Sequence, residues 1–313
     1  MSIIEQAAKR LEELRRAGVE VPWAAAGLSR QEYDQLVEAG QKGGQGVALR
    51  AVAGTAESLA EPPGVHRLAE SDRRSRKVDL PLGMLGQAGY LVPDQPRTSL
   101  ADEFRVIKRP LLKNVQGESA APVERANLIL VTSAMPGEGK TFTAINLALS
   151  IAMEVDKTVL LVDADVVRPS LMSRLGLDEP AKGLLDVLND PSLDLADVLL
   201  RTNVPKLTLL PAGTPCPNST ELLASAAMEQ LLQELATRYS DRVVVFDAPP
   251  LLPTTESRVL ASRAGQVVMV VEADQTSRNT VAKAFATVES CPVVMSVLNK
   301  CSNPAGTYRY GYY

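Results

Sequence analysis

The chain has 313 residues, of which 45% are hydrophobic and 22% charged, enough to build one sizeable core and a smaller appended unit. The formal net charge of -4 argues against a nucleic-acid partner, because such proteins carry a basic domain or stripe. The sequence has three cysteines without a metal-ligand spacing and a single histidine. It also has no long apolar run and no signal-peptide core, and together these features predict a cytoplasmic protein.

Residues 1–95 are predicted to form a helical arm followed by flexible linkers. Within residues 3–16, apolar side chains recur at helical spacing, which predicts an amphipathic helix for packing or oligomerisation. Its glutamates weaken the alternative of a helix on a membrane surface. The stretches AGQKGGQG and GTAESLAEPPG then indicate connectors, and we expect no catalytic residue in this region.

Residues 96–302 are predicted to form a doubly wound α/β domain. ADEFRVIKRPLL predicts a helix that ends near Pro110, because the residue before a proline disfavours the helical conformation. Downstream, uniformly apolar strands such as NLILVTS, TVLLVDA, RVVVFDA and QVVMVVEA alternate with helical segments. Strands of this kind are buried on both faces of a mostly parallel sheet, and ligands bind at their carboxyl ends.

The segment SAMPGEGKT, residues 133–141, follows the first of these strands and leads into a helix. This order predicts a phosphate-binding loop, in which glycines let backbone N–H groups converge on phosphate oxygens at a helix amino terminus. We expect Lys140 to neutralise the outer phosphates and Thr141 to bind Mg²⁺. Ala134 stands where the strict GxxxxGK[ST] pattern has its first glycine.

Carboxylates follow two further strands, namely Asp163 and Asp165 in TVLLVDADVVRP and Asp247 in RVVVFDAPP. A single aspartate at a strand end is ordinarily a turn former or a helix cap. Three of them at one sheet edge beside a nucleotide loop favour a metal-binding and catalytic role. Since Mg²⁺ bound to ATP needs only one or two protein carboxylates, the third is available for chemistry.

The chain ends in AGTYRYGYY, which holds four of its seven tyrosines: Tyr308, Tyr310, Tyr312 and Tyr313. Packing is a weak explanation at a terminus. We predict that residues 303–313 form a disordered tail whose phenols reach an active site, its own or a neighbour's. Four phosphotyrosines would add roughly -6 to -8 charges, more than the net charge of the unmodified chain.

Together these motifs resemble those of the bacterial protein-tyrosine kinases, a P-loop family unrelated in fold to eukaryotic kinases. SAMPGEGKT, LLVDADVVRP and VVVFDAPP are similar to the three motifs of its nucleotide site, and the tail is similar to its phosphoacceptor cluster. The segment KVDLPLGMLGQAGYLVPDQPRTSLADEFRVIKRPLL further resembles the exosortase-associated subfamily of cytoplasmic tyrosine autokinases. The resemblance implies ATP-dependent autophosphorylation of the four tail tyrosines and regulation of exopolysaccharide biosynthesis and export.

The resemblance also implies which residues contact ATP. These are the loop residues Pro136, Gly137, Glu138, Gly139, Lys140, Thr141 and Phe142. Asn299, at the end of the last predicted strand, resembles the adenine-reading asparagine of related P-loop ATPases, and a strand-end turn residue is the equal alternative.

The implied catalytic residues are Lys140, Asp163, Asp165, Arg168 and Asp247, and the implied Mg²⁺ ligands are Thr141, Asp163 and Asp247. Asp247 is expected to act through water. Asp163 is expected to accept the phenol proton, with Asp165 as the alternative. Because Val167 stands where the family has an arginine, Arg168 is expected to supply that role.

Two partners are implied by the resemblance. One is a second copy of the chain, which would receive the tail in its own site, in a homo-oligomer built on a helix whose aligned charges are Asp102, Arg105 and Lys108. Lysine lacks the planar bidentate geometry of the family's arginine, so Arg109 is the alternative. The other is a membrane-embedded polysaccharide chain-length or co-polymerase activator, which would hold the kinase peripherally at the inner membrane.

Two other functions are compatible with these motifs. A positioning ATPase of the MinD and ParA kind shares the sheet and the nucleotide loop, but it has a signature lysine early in the loop, and no lysine precedes Lys140 in SAMPG. Val167 and Lys108 depart from the family's pattern, and they leave a non-catalytic ATP-sensing regulatory module as the other alternative.

Overall fold

The computed structural model describes residues 75–94, 97–177, 181–237 and 242–301. The predicted arm at residues 3–16 and the tail tyrosines lie outside these ranges. The described strands are β1 (Arg76–Val78), β2 (Leu128–Ser133), β3 (Thr158–Asp163), β4 (Leu200–Thr202), β5 (Leu207–Leu210), β6 (Arg242–Asp247), β7 (Gln266–Glu272) and β8 (Val293–Asn299). The described helices are α1 (Leu82–Gln87), α2 (Ser99–Val115), α3 (Lys140–Ala152), α4 (Leu171–Arg174), α5 (Leu184–Asn189), α6 (Leu195–Val198), α7 (Ser219–Ala224), α8 (Ala226–Thr237), α9 (Glu256–Arg263) and α10 (Arg278–Ala286).

The strands form one sheet in the order β1-β4-β5-β3-β6-β2-β7-β8. Neighbouring strands are parallel throughout, except that β4 and β5 are antiparallel. The predicted doubly wound, mostly parallel sheet is therefore confirmed. The strands β3, β6 and β2 lie side by side at its centre, so their carboxyl ends meet at one edge.

The sheet separates two hydrophobic cores because successive side chains of a strand point to opposite faces. In β2, Leu128 and Leu130 belong to one core, and Ile129 and Val131 belong to the other. The first core also takes buried residues from α5 to α10, and the second takes them from α1 to α4. The central strands are buried on both faces, as their uniformly apolar sequences predict.

The folded region begins upstream of residue 96, where the sequence predicts linkers. Strand β1 pairs with β4, and Leu80 and Leu85 are buried in the second core. The backbone N–H of Leu91 donates to Asn146 Oδ1 of α3 at 2.7 Å. Proline and glycines interrupt this segment, so its few core residues show neither helical nor strand periodicity over a useful length.

The prediction that the second helix ends near Pro110 is wrong, since α2 continues to Val115. A proline removes one helical hydrogen bond and crowds the carbonyl four residues earlier, here that of Val106. Both Val106 and Pro110 are exposed, so water can satisfy that carbonyl. Beyond the proline, Leu111 and Leu112 are buried and hold the last turn against the core. None of the described helices combines the length and apolar composition needed to cross a bilayer.

Candidate nucleotide and active site

The loop between β2 and α3 has the backbone geometry of a phosphate-binding loop. Gly137 and Gly139 have φ values of 90° and 99°, a left-handed region that glycine adopts readily. A Cβ at position 139 would also collide with the side-chain amide of Asn299. Ala134 is fully buried and belongs to the first core, which explains why a methyl group is tolerated where the strict pattern has glycine.

The predicted carboxylates lie together at the carboxyl edge of the central strands. Asp163 and Asp247 are the last residues of β3 and β6 and are register partners. Lys140 Nζ lies 2.7 Å from Asp165 Oδ2 and 4.0 Å from Asp247 Oδ1. The structure therefore brings the loop lysine and all three predicted aspartates into one cluster, in which Thr141 is also buried.

Asp163 is the carboxylate most enclosed by backbone groups. It is fully buried, and its two oxygens accept hydrogen bonds from the N–H groups of Asp165, at 3.3 Å, and Leu171, at 3.1 Å. Burial, and then the charge of Asp247, raise its pKa to about 7. Its carboxylate can therefore exchange a proton near neutral pH.

Asp247 is fully buried, and neither of its oxygens makes a hydrogen bond with a described residue. Burial raises its pKa to about 6, although the charge of Lys140 and the nearby hydroxyl of Thr141 favour the ionised form. A buried carboxylate without a hydrogen-bond partner is costly, and a cation would remove that cost. This orphaned group fits Mg²⁺, which uses few protein ligands when phosphates and waters supply the rest. Among the described residues, no group of three or more His, Cys, Asp or Glu side chains is arranged to hold a metal ion.

The side chains of Arg168 and Phe142 are not part of the carboxylate cluster. The backbone N–H of Arg168 donates to Asp165 Oδ1 at 3.2 Å, while its side chain is exposed, as is that of Val167. Phe142 packs against Tyr90 with ring centroids 5.2 Å apart. The guanidinium of Arg168 makes no hydrogen bond or ion pair within the described ranges.

Several contacts of the loop have no signature in the sequence. The Glu138 side chain is buried, accepts from the N–H of Met135 at 2.6 Å and accepts from the hydroxyl of Thr276. Asn299 Nδ2 donates to the Glu138 carbonyl at 2.9 Å, and Lys300 Nζ donates to the Gly137 carbonyl at 2.8 Å. The segment after β2 is thus held by residues that follow β7 and end β8, far away in the sequence.

The charges that the resemblance assigned to an oligomerisation helix lie on α2 in two different environments. Asp102 and Arg105 form an ion pair with each other near the surface. Lys108 is buried, donating to the Ser150 carbonyl at 2.6 Å and pairing with Glu154. Lys108 is therefore used inside the fold, whereas Arg109 is exposed.

The parallel sheet, the glycine loop and the carboxylate edge together define a P-loop nucleotide-binding protein, and a family model described as an AAA domain matches residues 126–297. The chain is 30% identical to the tyrosine-protein kinase YwqD of Bacillus subtilis (strain 168), over 72% of this chain and 92% of YwqD. It is 32% identical to the tyrosine-protein kinase CpsD of Streptococcus agalactiae, over 59% of this chain and 81% of CpsD. The kinase domain of the Escherichia coli tyrosine kinase ETK superposes with a TM-score of 0.53 at 25% identity, over 74% of this chain and 98% of that domain. The chain belongs to the bacterial tyrosine-protein kinases.

Proposed function

We propose that the chain is an ATP-dependent autokinase that phosphorylates its own tail tyrosines, Tyr308, Tyr310, Tyr312 and Tyr313, and thereby regulates exopolysaccharide biosynthesis and export. One observation carries the catalytic part of this proposal. Lys140 and Thr141 of the glycine loop meet three buried carboxylates at the edge of the sheet, and Asp247 among them has no hydrogen-bond partner in the described part of the chain.

The glycine loop and the amino terminus of α3 are suited to hold the phosphates of ATP. The Thr141 hydroxyl and Asp247, the latter through water, would hold Mg²⁺, with Asp163 as the neighbouring carboxylate. When bound, Mg²⁺ would neutralise charge on the phosphoryl oxygens. Lys140 is paired with Asp165 at 2.7 Å, so a phosphate must compete with this carboxylate for the ammonium group.

Asp163 is the better candidate for the group that accepts the phenol proton. A general base works best when its pKa lies near the operating pH, and the pKa of Asp163 is raised to about 7. Asp165 is held in an ion pair with Lys140 instead. Because Asp163 is fully buried, a phenol reaches it only when the residues that follow β3 move.

The acceptor tail is proposed to enter the site of a neighbouring copy in a homo-oligomer. Arg168 is exposed close to Asp165 and can contact an incoming tail or phosphate without rearrangement of the core. A membrane-embedded chain-length or co-polymerase protein is the proposed activator. Arg109, which is exposed on α2, takes the oligomer contact that buried Lys108 cannot make.

A mixing experiment tests this function. A full-length Lys140→Met variant supplies an intact tail without a working loop, and a version truncated after Thr307 supplies the loop without the tyrosines. With Mg²⁺ and ATP, peptide mass spectrometry should find phosphotyrosine on the Lys140→Met tail in the mixture and none in either protein alone. Phosphate on the full-length wild type but never in the mixture would show that transfer stays within one chain, against the neighbour-site proposal. An absence of phosphotyrosine in all samples, with ATP still hydrolysed, would favour a positioning ATPase.

A further inference from the structure

The end of β8 contacts two consecutive carbonyl groups of the phosphate-binding loop. Asn299 Nδ2 donates to the Glu138 carbonyl at 2.9 Å, and Lys300 Nζ donates to the Gly137 carbonyl at 2.8 Å. These bonds connect residues that are more than 160 positions apart in the chain. The last strand therefore fixes the orientation of two successive peptide planes in the loop.

The orientation of a carbonyl also sets that of the N–H group in the same peptide unit. In a planar trans peptide, the C=O of one residue and the N–H of the next point in opposite directions. The bond from Lys300 thus turns the Glu138 N–H away from β8, and the bond from Asn299 does the same for the Gly139 N–H. Within the described residues, no protein group accepts a hydrogen bond from either N–H. Successive N–H groups aimed the same way form an anion-binding nest.

Two contacts and its backbone conformation orient the half-exposed side chain of Lys300. Its φ of 58° is left-handed, a conformation that a non-glycine residue keeps only where its surroundings enforce it. Its ammonium lies 3.0 Å from Glu272 Oε2, and Glu272 is the register partner of Asn299 across β7 and β8. The ion pair on the neighbouring strand therefore directs the ammonium to the Gly137 carbonyl.

We propose that Asn299 and Lys300 are positioning residues of the phosphate site: they aim the Glu138 and Gly139 N–H groups at the bound phosphates. This inference rests on the proposed nucleotide site in residues 133–141. It assigns Asn299 a function that does not depend on the base, in contrast to adenine reading. Both residues act through the loop backbone and need not touch the nucleotide.

A ligand without a base separates the two roles of Asn299. Titration calorimetry would measure the binding of Mg²⁺–pyrophosphate and Mg²⁺–ATP to the full chain, using wild type, Asn299→Ala, Lys300→Met and Lys300→Arg. Asn299→Ala and Lys300→Met should weaken both ligands by the same factor, about tenfold for one lost hydrogen bond of this kind. Lys300→Arg, which retains a charged donor, should restore most of the affinity. If Asn299→Ala weakens ATP alone and leaves pyrophosphate binding unchanged, Asn299 reads the base and the inference fails for it.

Two further variants guard against misfolding as the cause. Lys300→Gly suits the left-handed backbone while removing the ammonium, and it should lose affinity as Lys300→Met does. Lys283→Met removes an exposed lysine of α10 and should leave binding and the thermal midpoint unchanged. Wild-type affinity in Lys300→Gly would overturn the role of Lys300. The nucleotide site itself is tested by comparing the wild type with Lys140→Met. If the wild type binds neither ligand, or binds both as Lys140→Met does, the nucleotide site is wrong, and this inference fails with it.

Discussion

Replacing the buried Asp247 carboxylate with a neutral amide should stabilise the unligated protein while abolishing kinase activity. The pKa of Asp247 rises from 3.8 to about 6 on folding. A carboxyl group with a raised pKa favours the folded state in its protonated form, so its ionisation destabilises the fold as the pH rises from about 4 through 6. Since one pKa unit corresponds to about 1.4 kcal/mol, ionised Asp247 costs the fold about 3 kcal/mol at pH 8.

The Asp247→Asn variant should therefore unfold about 6 to 12 °C above the wild type at pH 8 without nucleotide or metal. At pH 5 the gain in the free energy of unfolding should be about half of the gain at pH 8, because the wild-type carboxyl group is largely protonated in the folded protein at pH 5. Thermal unfolding followed by circular dichroism measures both values. Asp156→Asn, at an exposed position after α3, is the matched control and should change neither midpoint.

The reasoning would be refuted by an Asp247→Asn variant that is less stable than the wild type at pH 8. It would equally be refuted by a gain of the same size at pH 5 and pH 8. The free-energy cost of burying the carboxylate charge must decrease as the group becomes protonated. A variant that is more stable and still fully active would leave the stability argument intact and remove Asp247 from the catalytic site.

Three further predictions concern the loop, the buried carboxylates and α2. Binding of Mg²⁺–ATP at pH 6 should release protons, since a cation lowers the raised pKa of Asp247, and this release should vanish at pH 8.5, where the group is already ionised. Calorimetry in buffers of different ionisation enthalpy measures the release, and equal release at both pH values would contradict the prediction. Gly139→Ala should abolish ATP binding because a residue with a Cβ is strained at the left-handed φ of 99° and its Cβ would also displace the Asn299 amide. Gly83→Ala in α1, which has open space, should bind normally, and equal affinities of the two variants would refute the loop geometry. Pro110→Ala should stabilise the fold by about 1 to 3 kcal/mol in urea unfolding by restoring a helical hydrogen bond, and a loss of stability would argue against the exposed position of Pro110 on α2.

The central sheet and the edge that carries the site could be predicted from the sequence because their signals are local. In β3 and β6, a run of four apolar residues is followed by an aspartate, Asp163 or Asp247, at the end of the strand. Parallel strands bring such ends to one edge, so the convergence follows once the sheet is predicted.

The remaining features depend on contacts between distant segments. β1 has only three residues and is positioned by its pairing with β4. No local sequence pattern indicates that pairing. Lys108 looks like a surface charge on an amphipathic helix until the Ser150 carbonyl and Glu154 are placed beside it. Pro110 ends a helix by local rules, but burial of Leu111 and Leu112 outweighs that preference.

The most direct test of the proposed autokinase is the intact mass of the purified full-length protein after incubation with Mg²⁺ and ATP, followed by peptide mapping. The account predicts up to four added phosphates, all on the tyrosines from Tyr308 to Tyr313, and none in the Lys140→Met variant. An unmodified wild type that binds and hydrolyses ATP would contradict it, as would phosphate that persists in Lys140→Met or lies outside the tail.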